Sequence, residues 1–448
     1  MGGIDGFRKT LDSERVSPFF YGVIALLALL MVTDGFGTQS MGFVAPVITK
    51  AWALKKGAIT AAVTTGLVGV MFGACGVTPI ADRIGARRIL VVCAVAYGVL
   101  MAATSLVTDL NGLAWMRLFT GLALGGAMPA AIALVSEYSP SRLRAMLVTV
   151  AVCGFSVGGA LGGLANSLLI ARHGWPSVFV AGGIVPIVLA PMLYLWLPES
   201  LPRVVIGKAS ARAMAAVRKI APHWTPSVDA PGEAPVRQLP VVGLFQDGFA
   251  VATVLIWILY FMNLMVLYTL SQMLPTIITD AGMPLSAAST ATSFYQLGGI
   301  AGALVFSYLC DRYGSRLILP AIFIGTSVFC LLIGVAGRDA GLVVVAATTA
   351  GVFVIGGQAV ANAFVGNFYG SHIRATGIGW ALGMGRLGAI VGPFVIGTLH
   401  GAGARPQTLF ELCAIPGLFA AAATWFVARN HGPARAASIA AAAAAAKA

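Results

Sequence analysis

The sequence predicts an all-α integral membrane protein with twelve transmembrane helices in two pseudo-symmetric six-helix bundles. Three observations carry this expectation. The 448 residues are 58% hydrophobic and 10% charged, with a mean hydropathy of +0.91, whereas a soluble domain carries about 25% charged residues. Twelve apolar runs each come near the ~20 residues that a bilayer span needs. A charged loop, "ADRIGARRIL" from Ala81, returns as "CDRYGSRLIL" from Cys310, each time after the second span of a six-span set.

Residues 1–18 are polar and of mixed charge, with no cleavage-like site, so a cytoplasmic segment without a leader is expected. The first bundle, 19–197, holds spans at 19–48, 57–79, 88–107, 112–138, 144–170 and 175–197. The polar, Pro-rich segment 198–248 follows as a cytoplasmic linker. It contains a basic amphipathic piece, "ASARAMAAVRKIA", and then "TPSVDAPGEAP", which reads as flexible. The second bundle, 249–429, holds spans at 249–279, 286–309, 317–337, 340–365, 374–400 and 407–429, and an Ala-rich, low-complexity tail occupies 430–448.

Loop charge orients the chain. The side with both termini and the linker holds about 20 Lys and Arg, and the other side about 6, so both termini are expected in the cytoplasm. The net charge of +13 thus belongs to short loops rather than to a nucleic-acid surface. Cys75, Cys93, Cys153, Cys310, Cys330 and Cys413 lie scattered in apolar stretches and read as small hydrophobes rather than as disulfides or metal ligands. Two related six-span halves mark a transporter, with a substrate site expected near the midplane between them.

The repeated loop resembles that of the major facilitator superfamily. Asp82, Arg83, Gly85, Arg87 and Arg88 stand at its motif positions. Thr78 and Ser307 replace its leading glycine, and Ala86 replaces the first basic residue after Gly85. Four further stretches resemble the aromatic acid:proton symporter family within it: "DGFGTQSMGFVAP", "SEYSPSRLRAMLVTVAVCGFSVGGALGG", "LPESLPRVV" and "FYGSHIRATGIGWALGMGRLGAIVGP". One departure stands out, since Gly37 occupies the place of that signature's second aspartate. The resemblance implies import of a benzoate-, hydroxybenzoate- or lignin-derived acid, by alternating access in the bacterial inner membrane. It implies no cofactor beyond the proton gradient. Aromatic carboxylate, protons and bilayer are the expected partners of a monomer, with no nucleic acid.

Three ionisable groups lie deep in spans: Asp34, Arg117 and Arg386. Each costs about 2.5–3.5 kcal/mol at a helix centre and needs a compensating role. Burial disfavours a charged carboxylate, which suits Asp34 to proton coupling; a structural ion pair with Arg117 is the alternative. Arg386 offers a planar fork for a substrate carboxylate, or is satisfied by carbonyls and amides. Arg117 divides evenly between structure and substrate. Gln358 and Asn362, one turn apart on span ten, are candidate substrate ligands. So are Tyr268 on span seven and Gln296 on span eight, with Tyr260, Asn263 and Gln272 nearby. Trp380, on the face of Arg386 roughly two turns away, is a candidate cavity wall, with an interfacial belt or plain packing as the alternatives. For any single polar residue here, interhelical adhesion is the competing role.

Asp82, Arg83, Arg87, Glu137 and Arg144 in the first half, with Arg142, read as one side of a cytoplasmic gate; Asp311, Arg312 and Arg374 read as the other. Ordinary headgroup-level charge is the alternative. Lys50, Lys55 and Lys56 on the opposite side would gather anions. Other readings are transport of a different organic anion, drug efflux, or a non-transporting receptor. No catalytic or metal constellation supports an enzyme.

Overall fold

The computed structural model describes residues 4–13, 16–201, 204, 211–221, 224, 241–246, 249–337, 339–369 and 373–430. Among them there is no strand, and twelve segments are long and apolar enough to cross a membrane. A short α1 (Ile4–Ser13) precedes α2 (Pro18–Ala51), α3 (Thr60–Ile84) and α4 (Ala86–Thr104). Span four is α5 (Leu110–Gly125) with α6 (Ala127–Tyr138), and α7 (Arg144–His173) and α8 (Pro176–Trp196) complete the first half. After α9 (Ala211–Ile220) come α10 (Ala250–Asp280), α11 (Leu285–Tyr313), α12 (Ser315–Val335), α13 (Ala340–Phe368), α14 (Arg374–Gly401) and α15 (Pro406–Asn430). The stretch "TPSVDAPGEAP", Arg338 and the Ala-rich tail lie outside the described residues.

Local chemistry repeats between the halves. Gly85 (φ 102°) is the single residue joining α3 to α4, and Gly314 (φ 83°) likewise joins α11 to α12. A side chain is strained at such φ values, so the repeated loop motif needs its glycine in both copies. Spans four and ten also open alike. Asp109 accepts a hydrogen bond from the Gly112 amide and Asp339 from the Leu342 amide, each at 3.0 Å, capping α5 and α13. Span four divides at Gly126 because Pro129 has no N–H for the carbonyl of Gly125.

The chain forms two compact units, Met1–Val44 with Thr65–Val236, and Ala45–Thr64 with Arg237–Ala448. In the first, α4 packs on α8; in the second, α11 packs on α13, α10 on α14 and α12 on α15. Close approach uses small residues: a Cβ on Gly121 would lie 2.1 Å from the Gly66 carbonyl oxygen, and one on Gly125 2.2 Å from that of Val70. These glycines of span four therefore serve packing. The second unit takes in the end of α2 and the loop after it, where Gly57 abuts Gly401 and Thr60 abuts Gly397. Close by, His400 Nε2 of α14 and Asp280 Oδ2 of α10 lie within hydrogen-bond distance, 2.8 Å apart.

Residues 4–13, read from sequence as a plain polar segment, form a docked helix. Phe7 is fully buried between Tyr138 (5.5 Å between ring centroids) and Trp224 (4.9 Å). The Asp12 carboxylate accepts from the Ser141 amide at 2.6 Å and from its hydroxyl at 2.9 Å. These donors hold the Asp12 carboxyl below its ordinary value of 3.8. A carboxyl depressed in the docked state stabilises docking above its free value, and that contribution fades as pH falls through the lowered one. Asp12→Asn is therefore expected to speed cleavage of α1 by an acid protease at pH above 3.8, with the difference vanishing on further acidification. A difference that persists at the lowest pH would separate Asp12 from the docking.

Candidate functional site

In the first unit, Asp34 lies mid-way along α2 and is buried at 6% exposure. One turn on, the Thr38 hydroxyl donates to its Oδ1 at 3.2 Å. Arg117 of α5, 5% exposed, reaches the same helix: its Nη2 donates to the Gly37 carbonyl at 3.2 Å, and its Nη1 lies 4.0 Å from Met101 Sδ. Its Nε has no hydrogen-bond partner among the described residues. A buried guanidinium with an unpaired N–H is costly to maintain, which fits a group with work to do beyond packing.

Tyr97 of α4 decides what else fits beside Asp34. Its ring is buried and its hydroxyl donates to the Thr33 carbonyl at 3.0 Å. A Cβ added at Gly37 would lie 1.9 Å from that hydroxyl oxygen. The phenol thus fills the space that a side chain at position 37 needs. Nothing in the sequence around Tyr97 marks it, because the contact joins residues sixty apart on different helices.

In the second unit, four polar side chains of α10 and α13 form a ladder. Asn263 Nδ2 donates to Gln358 Oε1 at 2.7 Å, and Gln358 Nε2 donates to Asn362 Oδ1 at 2.9 Å. The Tyr260 hydroxyl donates to the same Asn362 oxygen at 2.8 Å. Arg386 of α14 is half-buried and donates from Nη1 to the Tyr268 hydroxyl at 3.1 Å. A Cβ at Gly379 or Gly383 would meet nothing within 4 Å. These glycines precede Arg386 by seven and three residues, so they leave open space on the side of α14 that carries it.

The remaining candidates have partners of their own. Gln296 is 1% exposed and donates to Ser271 Oγ at 3.3 Å, joining α11 to α10. Trp380 stacks on Trp257 at 5.6 Å with planes 22° apart. Six residues turn it about 120° around the helix from Arg386, so the two do not share a face. Arg87 is buried, donates to the Tyr194 carbonyl and lies over the Tyr194 ring at 4.8 Å. Glu137 accepts from the Leu201 amide at 2.7 Å, and Arg144 donates to the Ser139 carbonyl at 3.4 Å. These three therefore bind the backbone of their own half. Asp311 and Arg312 are exposed, and Arg312 lies over the Tyr313 ring at 5.4 Å. The side chains of Asp82, Arg83 and Arg374 lie outside the described part of the structure.

Known proteins place this arrangement. A solved bacterial homolog of the human lysosomal transporter Spinster superposes with a TM-score of 0.70 at 16% identity, over 92% of this chain and 98% of that one. The gallate transporter of Pseudomonas putida is 33% identical over 429 residues, 95% of each chain. The 4-hydroxybenzoate transporter PcaK of Pseudomonas aeruginosa is 33% identical, over 92% of this chain and 93% of its own length. The 3-(3-hydroxy-phenyl)propionate transporter of Escherichia coli is also 33% identical, over 90% and 93%. The family model described as Major Facilitator Superfamily matches residues 27–255 and 256–448. A family of transporters rather than enzymes accounts for the twelve spans, the paired halves and the buried charges alike: the chain belongs to the Major Facilitator Superfamily.

Proposed function

We propose that this chain imports a small aromatic carboxylate by proton symport and alternating access. It acts as a monomer in the bacterial inner membrane, with both termini cytoplasmic, the orientation that its loop charges favour. The observation that carries the reading is Arg386. Its guanidinium lies mid-helix and half-buried, with one donor engaged by the Tyr268 phenol. The rest of its fork is left to receive a carboxylate. The relatives named for gallate, 4-hydroxybenzoate and 3-(3-hydroxy-phenyl)propionate add an aromatic ring to that carboxylate.

Asp34 supplies the coupling. An organic anion entering a cell works against a negative interior, at about 2.3 kcal/mol per charge per 100 mV. A proton on Asp34 cancels that charge. Asp34 is the one carboxylate deep within a span, so the expected ratio is one proton per monoanion, and the cycle is electroneutral.

The test is uptake of radiolabelled benzoate and 4-hydroxybenzoate into proteoliposomes under an imposed pH gradient. Accumulation is expected to follow the pH gradient, ignore membrane potential, and collapse with a protonophore. Accumulation that survives the protonophore ends the proton-coupled reading. Transport of other organic anions, with neither aromatic acid moved, transfers the site to a different substrate class.

A further inference from the structure

We propose that the ladder Asn263–Gln358–Asn362, closed by Tyr260, is a subsite that reads an oxygen substituent on the ring of an acid whose carboxylate sits at Arg386. The inference rests on the aromatic-acid reading above.

The ladder has a direction and an open end. Asn263 gives its amide N–H to Gln358, which gives its own to Asn362. Asn362 Oδ1 then accepts two hydrogen bonds, the second from Tyr260. Among the described residues, Asn362 Nδ2 donates to nothing, and Asn362 is the exposed member of the set. At the other end Asn263 is 2% exposed, and its Oδ1 has no partner. Such a chain is polarised, each bond strengthening the next. Helix adhesion alone does not need the exposed terminal donors. They suit a ligand oxygen: a phenol, a phenolate or a methoxy group accepts from them, and a ring C–H does not.

The helical spacing of the two tyrosine partners is on the scale of one aromatic ring. Asn362 is bonded to Tyr260, and Arg386 to Tyr268. Those tyrosines are eight residues apart on α10, about 12 Å of helical rise. A single ring with a carboxylate at one end and an oxygen at the other covers that reach, given a hydrogen bond of about 2.9 Å at each end. The open space at Gly379 and Gly383 gives the ring room beside Arg386. An unsubstituted ring would desolvate the Asn362 donors without replacing their hydrogen bonds, a loss of roughly 10- to 100-fold in apparent affinity.

The experiment compares apparent KM for 4-hydroxybenzoate and benzoate in proteoliposomes of the full chain. The wild type is expected to favour the hydroxylated acid by about tenfold or more. Asn362→Leu should bring the ratio of the two KM values toward one. Tyr260→Phe keeps the ring and its packing; it should move the ratio the same way by a smaller step, and it carries the test if Asn362→Leu does not assemble. Arg386→Lys should raise both KM values together and preserve the ratio. Transport of both acids with a ratio that neither ladder variant moves overturns the subsite and leaves the aromatic-acid reading intact. Transport of neither acid by the wild type overturns that reading and the subsite with it.

Discussion

Asp34→Asn is expected to abolish accumulation driven by a pH gradient while leaving substrate exchange in place. Asparagine keeps the size of the side chain and an oxygen to accept from Thr38, so the fold around α2 should persist. What it loses is the proton. In the wild type, one pH unit across the membrane is expected to sustain about tenfold accumulation of a monoanion carried with one proton, since one unit is about 1.36 kcal/mol. In the variant, internal and external concentrations should become equal, because nothing links the anion to the gradient. Counterflow between loaded and external substrate needs no net proton movement and should continue. Full accumulation by Asp34→Asn would remove this residue from the coupling step. Loss of counterflow as well would make it a structural anchor.

Gly37→Asp is expected to damage the protein, although it restores the second carboxylate of the signature that this chain resembles. The new Cβ would lie 1.9 Å from the Tyr97 hydroxyl oxygen and 2.7 Å from its Cζ. The phenol cannot simply swing away, because it is buried and bonded to Thr33. Overpacking of this kind costs about 1–3 kcal/mol. Gly37→Ala isolates the steric part. Tyr97→Ala opens a cavity and is destabilising alone, yet it should partly rescue Gly37→Asp. A thermal-melt double-mutant cycle in detergent should show coupling of about 1 kcal/mol or more. Strictly additive losses would mean that the two positions do not compete for the same space. The single carboxylate here is thus tied to a particular tyrosine on α4.

Some of this was legible in the chain as written. Spans, halves and the repeated loop follow from residue type and period, because lipid acts on each segment separately: a helix that leaves no backbone group unpaired is required whatever its neighbours are. The glycines at 85 and 314 were legible as a matched pair, since backbone torsion is a local property. The three deep ionisable residues stood out for a similar reason, as each is expensive where it lies. Gln358 and Asn362 could be paired from sequence because four residues make one turn.

Other features were not legible. The docking of α1 on Tyr138 and Trp224 joins residues more than a hundred positions apart, and a short amphipathic helix leaves only a weak trace in a polar segment. The hydrogen-bond contact of His400 with Asp280 links two span ends that look like ordinary loop-edge residues. The sequence reading sets Trp380 on the face of Arg386, whereas the structure turns it about 120° away and stacks it on Trp257.

By itself, the sequence determined that this protein spans a membrane twelve times in two related halves, and which few polar groups it carries inside. Those are consequences of solvent and period, which act on each segment without reference to its partners. Only the tertiary structure decided that Tyr97 fills the space beside Asp34, that Arg117 holds the Gly37 carbonyl, and that Tyr260 and Asn263 extend the pair on α13 into a ladder. Such partnerships depend on which helix faces meet and at what height, and no local pattern encodes the height at which one helix lies against another.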